Sequence, residues 1–330
     1  MKLALLGAGR IGQVHAANIH LSPRAQLHAV VDVNPEAASA LAQRYGAKAS
    51  TDPKAVLNDP ALAGVLVCTS TDTHVELILE AARRKLPVFC EKPIDLDLAK
   101  VDTCLQEVQR TGTPLIIGFN RRFDPHFRTL REGIRKGEVG DVEIVKITSR
   151  DPAPPSPAYV RTSGGIFRDM MIHDLDMARF LLGEEPVELF ATGSCLVDPG
   201  IGQAGDIDTA MVVLKTQRGA LCHIDNSRRA VYGYDQRIEV FGSKGMLQAA
   251  NPVPTTVTRY TRDTVSVDKP YHFFLERYPE AYRAELDHFL DVIEKRAEPM
   301  VTGSDGRRSL ILAEAAVQSL KLGRPVPVPG

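Results

Sequence analysis

The chain has 330 residues, enough for two domains that each bury a core of their own. Apolar residues make up 44% of it and charged residues 25%, and the formal net charge is −1, as is typical of a globular protein. This balance gives no electrostatic reason to expect nucleic acid or an anionic membrane as a partner. No apolar run is long enough to span a bilayer.

The five cysteines are scattered along the chain and form no CxxC pair. This pattern argues against a disulfide framework and against a structural zinc site. The first ten residues, MKLALLGAGR, contain an apolar run that is too short for a signal peptide and ends in glycines. We therefore expect a cytoplasmic protein in which these residues form a first strand.

The first 120 residues alternate short apolar runs with helical patterns. The run KLALLG precedes the helical segment IGQVHAANIH, and LHAVVDV precedes PEAASALAQRYG. The runs AGVLVCTS, PVFCEKP and PLIIGFN follow, separated by HVELILEAARRK and DLAKVDTCLQEVQRTG. Strands that alternate with helices of this length form right-handed βαβ units and a parallel sheet. We predict an α/β Rossmann domain over residues 1–120.

The organisation changes after residue 120. A helix over about 125–136 is followed by the strand VEIVKITS, the proline-rich loop DPAPPSPAY and an apolar helix. Four runs with hairpin-like spacing then follow, VELFATGSCLV, DTAMVVLKT, GALCHIDNS and QRIEVFGS, and they predict a mainly antiparallel sheet. Helices over about 279–296 and 304–322 complete an α+β domain over 121–330. The last helix is expected to be able to pack back on the first domain.

The segment GAGRIG places glycines in GxGxxG spacing between the first strand and the first helix. In such a loop Gly7 permits a tight turn, Gly9 lets a pyrophosphate approach the backbone, and Gly12 lets helix and strand pack closely. Asp32 stands at the end of the second strand, where an acid accepts hydrogen bonds from the adenosine ribose and repels the extra phosphate of NADP. The pattern predicts a dinucleotide cofactor, NAD rather than NADP. A glycine turn that binds no ligand is the alternative.

Two further strands end in polar segments at the edge where a doubly wound sheet binds ligands. CTSTDTH offers small hydroxyl side chains that can contact a ribose or nicotinamide, or can simply cap the next helix. CEKP offers Lys92, whose charge can stabilise an alkoxide, although an exposed loop lysine is the alternative. The cofactor contacts that we expect are Gly7, Gly9, Arg10, Ile11, Gly12, Asp32, Ser70, Thr71, His74, Glu91 and Lys92.

The apolar stretch GGIFRDMMIHDLD carries Asp169 and His173 four residues apart, on one face of the predicted helix. A buried carboxylate or imidazole is costly unless it has partners. The two side chains therefore form either a satisfied polar cluster in a core or the floor of a site. Asp176 lies on the same stripe, so a divalent metal held from one helix is a further hypothesis, although three such ligands span more than the diameter of an ion.

The segments GAGRIG, TSTDTH, CEKP, GFNRRFDP and GGIFRDMMIHDLD together resemble the glucose–fructose oxidoreductase and inositol dehydrogenase (Gfo/Idh/MocA) family. The similarity runs over nearly the whole chain, and SRDPAPPSPAY and NSRRAVYGYDQRIEVFGSKG bring it nearest to the bacterial inositol 2-dehydrogenases. The resemblance implies a Rossmann domain followed by a substrate domain with a large, open-faced sheet. It also implies a homo-oligomer, usually a tetramer, in which a second subunit covers the exposed face of that sheet.

The resemblance implies that Lys92, Asp169 and His173 are the catalytic residues, with a cis bond between Lys92 and Pro93. From the ligand spacing above, no metal is expected. His173 would take the proton of a ring hydroxyl while a hydride leaves the same carbon, and Lys92 would stabilise the developing alkoxide. Asp169 would either orient His173 or hold an adjacent hydroxyl. A polyol needs several further donors and acceptors, and the candidates are Asn120, Arg122, Arg150, Asp151, Asp169, His173, Tyr234 and Asp235.

The resemblance makes oxidation of a cyclitol, with NAD as the hydride acceptor, the expected function. Myo-inositol is the first candidate substrate and its 2-ketone the product. The same chemistry on scyllo-inositol, another inositol isomer or an aldopyranose such as glucose is the main alternative. A remoter alternative is a non-catalytic regulatory protein that binds NAD, which would not need both Lys92 and His173.

Overall fold

In the computed structural model, which describes residues 1–330, the chain divides into two units. The first unit contains residues 1–123 and 280–310, and the second contains residues 124–279 and 311–330. The predicted boundary at residue 120 lies three residues before the first observed one. The segment 280–310 belongs to the first unit, although it follows the whole of the second sheet in the chain.

A six-stranded parallel sheet forms the centre of the first unit, in the order β3-β2-β1-β4-β5-β6. Its strands are β1 Lys2–Leu6, β2 Gln26–Val31, β3 Lys48–Ser50, β4 Gly64–Val67, β5 Val88–Cys90 and β6 Leu115–Ile117. The helices that accompany them are α1 Arg10–Leu21, α2 Pro35–Tyr45, α3 Pro53–Leu57, α4 His74–Arg83 and α5 Leu98–Thr111. The strand order reverses between β1 and β4, as in a doubly wound sheet. The predicted Rossmann fold is confirmed.

Short polar residues begin several of these helices. The side chain of Asn34 accepts hydrogen bonds from two backbone amides at the start of α2, and Asp52 does the same for α3. Each is followed by a proline, whose fixed φ suits the first helical position. The caps fix the residues at which these two helices begin, and the parallel pairing of the strands keeps their carboxyl ends at one edge.

Helix α12, Pro279–Ile293, completes the core of the first unit. Its Leu286, Phe289 and Leu290 are buried in one cluster with Leu3 and Leu5 of β1. A Cβ atom placed on Gly64 would lie 3.0 Å from the Phe289 ring, so the helix packs closely against β4. Burial of these side chains is what attaches a C-terminal segment to the N-terminal sheet.

A seven-stranded mixed sheet forms the centre of the second unit, in the order β12-β11-β7-β10-β9-β8-β15. Its strands are β7 Val142–Arg150, β8 Pro186–Ser194, β9 Thr209–Thr216, β10 Leu221–Ser227, β11 Asp235–Gly242, β12 Gly245–Ala249 and β15 Val326–Pro327. Only β7 and β10 pair in parallel; the other neighbours are antiparallel. The predicted mainly antiparallel sheet is confirmed. A separate hairpin consists of β13 Arg259–Tyr260 and β14 Val265–Ser266.

The helices of the second unit lie before its first strand and in a few of the connections between strands, and they do not alternate regularly with the strands. They are α6 Pro125–Arg135, α7 Pro157–Ser163, α8 Gly165–Asp169, α9 Ile172–Leu182, α10 Pro199–Gln203 and α11 Phe274–Arg277. The boundary between the two units falls within the last helix, α13 Gly303–Leu322. No helix is both long and apolar enough to cross a membrane.

The two faces of the seven-stranded sheet differ. Along β7 the buried residues Val145 and Ile147 alternate with exposed ones, and on β10 the buried Asn226 donates a hydrogen bond of 3.0 Å to Asp174 of α9. The face that carries these buried residues is called the inner face. The outer face carries Ile144 and the residues paired with it, and a row of exposed apolar side chains crosses four strands there: Met246, Phe241, Ile144 and Leu221.

Candidate active-site residues

The glycine loop of the first unit leaves its backbone open to a ligand. Gly7 has φ +103°, and a Cβ atom there would lie 2.4 Å from the Cys68 carbonyl oxygen. A Cβ atom on Gly12 would lie 2.0 Å from the Gly7 oxygen, whereas one on Gly9 would meet no atom within 4 Å. The space beside Gly9 is therefore open at the N-terminus of α1, which is where a pyrophosphate binds. Arg10 and Ile11, the next two predicted contacts, begin this helix.

Asp32 directly follows β2, and its carboxylate is held beside the glycine loop. It accepts hydrogen bonds from the Ala8 amide at 2.7 Å and from the Asn34 amide at 2.9 Å. A carboxylate oriented in this way faces the position of an adenosine ribose in a Rossmann unit. The loop and the acid together fit NAD.

The segment after β4 contains two exposed or partly exposed predicted contacts and one buried one. Ser70 is exposed and Thr71 half-buried, and a short 3₁₀ turn begins at Thr71. His74 is 1% exposed, and its two ring nitrogens lie 2.8 Å from the Pro93 carbonyl oxygen and 3.1 Å from that of Thr69. Burial lowers the pKa of His74. Its ring connects the segments after β4 and β5, which places it behind the loop rather than on its surface.

Lys92 and Glu91 follow β5 at the same edge of the sheet. The peptide bond from Lys92 to Pro93 is cis, so this expectation is confirmed. Lys92 is half-buried, and Glu91 is 9% exposed with an oxygen 2.8 Å from Nε2 of His15. Of the two, Lys92 is therefore the one with access to a ligand, and Glu91 faces inward.

Asn120 and Arg122 lie in the short 3₁₀ turn that follows β6, and both are buried. Arg122 donates a hydrogen bond of 2.9 Å to Asp305 and one of 3.3 Å to the Met300 carbonyl oxygen. The buried side-chain nitrogen of Asn120 has no hydrogen-bond partner. Arg122 thus anchors the turn within the first unit, and Asn120 retains a donor for a ligand.

The apolar stretch after Gly164 forms two helices and not one. Helix α8 ends at Asp169, α9 begins at Ile172, and the amides of Met170 and Met171 both donate to the Ile166 carbonyl oxygen. The prediction of one continuous helix is wrong in this detail. Asp169 is the last residue of α8 and His173 lies in the first turn of α9, so the spacing of a single helix does not relate them.

Asp169 is held by two side chains that the sequence analysis did not single out. The Tyr159 hydroxyl donates to one carboxylate oxygen at 2.9 Å, and the Arg228 guanidinium donates to the other at 3.0 Å. Arg228 is 4% exposed and also donates to Asp151 at 3.4 Å. The structure therefore brings the predicted residues Asp169 and Asp151 together around a buried arginine.

The pKa values of Arg228 and of the nearby Asp206 are both raised, with different consequences for their charges. Burial opposes the positive charge of Arg228, but Asp169 and Asp151 raise its pKa, so the guanidinium stays charged. Burial and the nearby Asp169 raise the pKa of Asp206, which accepts a hydrogen bond from the Ile166 amide at 3.2 Å. A Cβ atom on Gly165, whose φ is +83°, would lie 2.8 Å from that carboxylate. The glycine lets the start of α8 approach Asp206 closely.

Arg150 and Asp235 belong to a different network, on the outer face of the sheet. Arg150 pairs with Asp225 at 2.8 Å and with the Tyr232 hydroxyl at 3.3 Å, and that hydroxyl donates to Asp235 at 2.6 Å. Arg150 lies in register with Asp235 and alternates along β7 with the buried inner residues. The structure therefore places both apart from Asp169, on the other side of the sheet.

Tyr234 is 6% exposed and stacks edge to face against Phe273 and Tyr278.

The metal hypothesis placed Asp176 with Asp169 and His173, but Asp176 lies within α9, 1% exposed and 3.6 Å from Arg179. The metal hypothesis required all three residues to lie on one helix, but Asp169 belongs to α8 and the other two to α9.

The sequence contains one local signal for Arg228, which the sequence analysis did not use. Arg228 follows β10 directly in SRR, where its alternation with the buried Asn226 was the available sign that it points inward. Tyr159 stands in the first turn of α7, after the proline-rich loop.

A parallel sheet with an open glycine loop, an acid after β2 and a lysine after β5 defines a dinucleotide-dependent oxidoreductase. The family model for the oxidoreductase family with an NAD-binding Rossmann fold (GFO_IDH_MocA) matches residues 1–119, and that for the GFO/IDH/MocA C-terminal domain matches 127–248. The chain belongs to this family, and its first unit is an NAD-binding Rossmann unit.

Individual relatives match over nearly the whole chain. The myo-inositol 2-dehydrogenase of Thermotoga maritima is 48% identical over 327 residues, which cover 99% of this chain and 98% of the relative. The inositol 2-dehydrogenase of Rhizobium meliloti is 49% identical over 328 residues, 99% of each chain. The scyllo-inositol dehydrogenase of Lactobacillus casei, solved with NAD(H) and scyllo-inositol, is 27% identical with a TM-score of 0.93, covering 99% of both chains.

Proposed function

We propose that this protein oxidises a secondary hydroxyl of a cyclitol to the ketone, with NAD⁺ as the hydride acceptor, and that myo-inositol is its substrate. The observation that carries the proposal is the presence of Lys92 after β5, of Asp169 at the end of α8 and of His173 in the first turn of α9, in a chain 48–49% identical to inositol 2-dehydrogenases along 99% of its length. The product from myo-inositol is its 2-ketone, scyllo-inosose.

The proposed mechanism assigns the proton to His173. Its imidazole takes the proton of the substrate hydroxyl while the carbon that bears it is oxidised. Lys92 supplies a positive charge to the oxygen on which negative charge develops. NAD, when bound, supplies the acceptor for the hydride. His173 thus accepts the proton of the O–H bond that breaks, and Lys92 stabilises the negative charge on its oxygen.

Asp169 is proposed to work as an ionised group whose orientation is set in advance. Its two oxygens already accept from Tyr159 and Arg228, so the carboxylate does not need to reorganise when substrate arrives. In this state it can orient His173 or accept a hydrogen bond from a substrate hydroxyl. Asp151, Asn120 and Tyr234 remain proposed substrate contacts, as does Arg122, which is already held by protein partners. Arg150 and Asp235 lie on the outer face of the sheet, on the other side from Asp169, and are no longer proposed as contacts of this substrate.

We also propose that the protein is a homo-oligomer, and specifically a tetramer, in the cytoplasm. The outer face of the second sheet supports this, because Met246, Phe241, Ile144 and Leu221 form a row across four strands and are 51%, 42%, 36% and 40% exposed. A contiguous apolar row of this kind is typical of a surface covered by a partner. Light scattering at micromolar concentration should give the mass of a tetramer, and a monomer would contradict the proposal.

The substrate proposal is tested by a panel of polyols with NAD⁺. Myo-inositol, scyllo-inositol, D-chiro-inositol and glucose are compared by the rate of NADH formation and by kcat/KM. We expect myo-inositol to give the highest kcat/KM. A higher value for scyllo-inositol, which the Lactobacillus casei relative binds, would retain the chemistry but change the substrate. An absence of NADH formation with every polyol would favour a non-catalytic NAD-binding protein.

A further inference from the structure

Three titratable side chains from three elements meet inside the first unit: His15 of α1, Glu91 after β5 and Glu285 of α12. His15 and Glu285 are fully buried and Glu91 is 9% exposed. Nε2 of His15 lies 2.8 Å from an oxygen of Glu91, and one nitrogen or oxygen atom from each of the three lies within 4.8 Å of the others. The mechanism proposed above makes no use of Glu285.

Glu285 is unusual because neither of its carboxyl oxygens has a hydrogen-bond partner in the protein. The titratable groups that face it from the surrounding elements are His15, Glu91 and the thiol of Cys68. None of these is a lysine or arginine that could balance a second carboxylate. Two buried carboxylates at this distance cannot both ionise at ordinary pH. Burial and the proximity of Glu91 raise the pKa of Glu285 well above its usual range, which favours the neutral form of Glu285.

Glu91 is confined on its other sides. Besides His15, its second oxygen lies close to Gly118, where a Cβ atom would approach it to 3.0 Å, and its amide donates to the Val67 carbonyl oxygen at 2.9 Å. The next residue in the chain is Lys92. Because the two residues are adjacent in a closely packed segment, a shift of Glu91 would also move Lys92.

We propose that Glu285 is a positioning residue for Lys92: as a neutral acid it fills the space beside the Glu91 carboxylate, keeps that side chain against His15, and so fixes the segment that presents the lysine. The part played by Lys92 in turnover rests on the proposed function. The neutral state of Glu285 does not, and the two are tested separately.

The first test measures the proton on Glu285 through unfolding. Urea unfolding of the full-length protein is followed between pH 5 and 8 for the wild type, Glu285→Gln and the control Glu280→Gln, which alters an exposed glutamate on the same helix. Glu285 is neutral in the folded protein but ionises in the unfolded chain above about pH 4.3. The folded wild type therefore holds one more proton, and its stability relative to Glu285→Gln falls as pH rises.

The expected result is quantitative. The unfolding constant of the wild type, divided by that of Glu285→Gln, should rise about tenfold per pH unit until the pH reaches the pKa of the folded Glu285. The corresponding ratio for Glu280→Gln should stay constant. A constant ratio for Glu285→Gln would contradict the proposal that Glu285 is neutral in the folded protein. So would one equivalent of a divalent metal retained by the purified wild type and lost from Glu285→Gln, because a cation would then balance the two carboxylates.

The second test measures positioning. Glu285→Gln, which keeps the size of the neutral acid, should retain kcat with myo-inositol within about twofold, whereas Glu285→Ala should lower it at least about tenfold. The Kd of NAD⁺ should change by less than about twofold in both. Glu285→Asp, which shortens the acid, should also lose kcat and replaces the alanine variant if that variant does not fold.

A folded alanine or aspartate variant with wild-type kcat would show that Glu285 only supports the fold. Failure of the proposed function has a different signature. If Lys92→Ala turned over myo-inositol like the wild type, the role of the lysine would be wrong, while the pH dependence of the unfolding constants would be unaffected.

Discussion

The Arg228 guanidinium donates a hydrogen bond of 3.0 Å to the Asp169 carboxylate, and 59 residues of chain separate the two. Arg228 is 4% exposed, and the Asp169 side chain 12%. A charge pair at such a site is strongly coupled, because removal of either partner leaves the other without compensation in a poorly hydrated position. The charge and direction of Asp169 therefore depend on an arginine from the end of β10.

Substitution of Arg228 should affect the reaction more than cofactor binding. In Arg228→Gln, Asp169 and Asp151 lose their shared cation, so we expect kcat/KM for myo-inositol to fall at least about tenfold and the free energy of unfolding to fall by about 3 kcal/mol. The Kd of NAD⁺ should be unchanged within about twofold. Arg229→Gln, which alters the exposed neighbour, is the matched control. Wild-type kcat/KM in Arg228→Gln would show that Asp169 does not depend on this pair.

Cofactor choice should depend on Asp32. Its carboxylate is fixed by the Ala8 and Asn34 amides at the edge of the glycine loop, where it would repel the phosphate of NADP. We expect the wild type to prefer NAD⁺, and Asp32→Ser to raise the ratio of kcat/KM for NADP⁺ to that for NAD⁺ at least about tenfold. Glu36→Gln removes a charge from the first turn of α2 and should leave the ratio unchanged. A wild type that prefers NADP⁺ would refute the assignment.

The acid stability of the second unit should depend on Asp208. Burial opposes its ionisation, but the amides of Asp198, Leu196 and Val197 donate to its carboxylate and lower its pKa to about 2. Because this pKa lies below that of an unfolded aspartate, the stabilisation is complete above about pH 4 and is lost as the pH falls towards 2.

We therefore expect the free energy of unfolding of Asp208→Asn to be about 2 kcal/mol lower than that of the wild type at pH 7. This difference should vanish as the pH falls from about 4 to 2. Urea unfolding across this range measures it. Asp263→Asn, on an exposed loop, should match the wild type at every pH. A difference that persisted unchanged at pH 2 would mean that packing, and not ionisation, is responsible.

Lys92 and His173 should act on one transition state. We expect Lys92→Ala to lower kcat with myo-inositol by about 10²-fold or more, and the double variant to lose much less than the product of the two single effects. Steady-state kinetics of both single variants and the double variant at one pH give the comparison. Multiplicative effects would indicate that the residues act in separate steps.

The sequence predicted those features whose cause is local. The glycine spacing of the loop and an acid at the end of the second predicted strand can both be read from a short stretch of chain, and the structure contains both. That Arg150 lies on the outer face follows only from the structure, in which α9 contacts the opposite, inner face of the sheet.

Features that depend on distant segments could not be predicted. The break at Met170 and Met171 interrupts a stretch whose apolar pattern favours one long helix. The cluster of His15, Glu91 and Glu285 joins residues up to 270 positions apart, and no local pattern of α12 distinguishes a buried neutral glutamate from an exposed one. Tertiary packing decides both.

The central claim is that His173 is the base that takes the proton of the cyclitol hydroxyl. The most direct measurement is the rate of NADH formation from myo-inositol by His173→Ala beside the wild type, after NAD⁺ binding and thermal unfolding have shown the variant to be folded. We predict that kcat falls by about 10²- to 10⁴-fold, that the Kd of NAD⁺ is unchanged, and that the rise of wild-type activity with pH through the titration of a histidine is lost. Near-wild-type turnover by His173→Ala would contradict the account and would leave Asp169 and His173 as a polar cluster of the core.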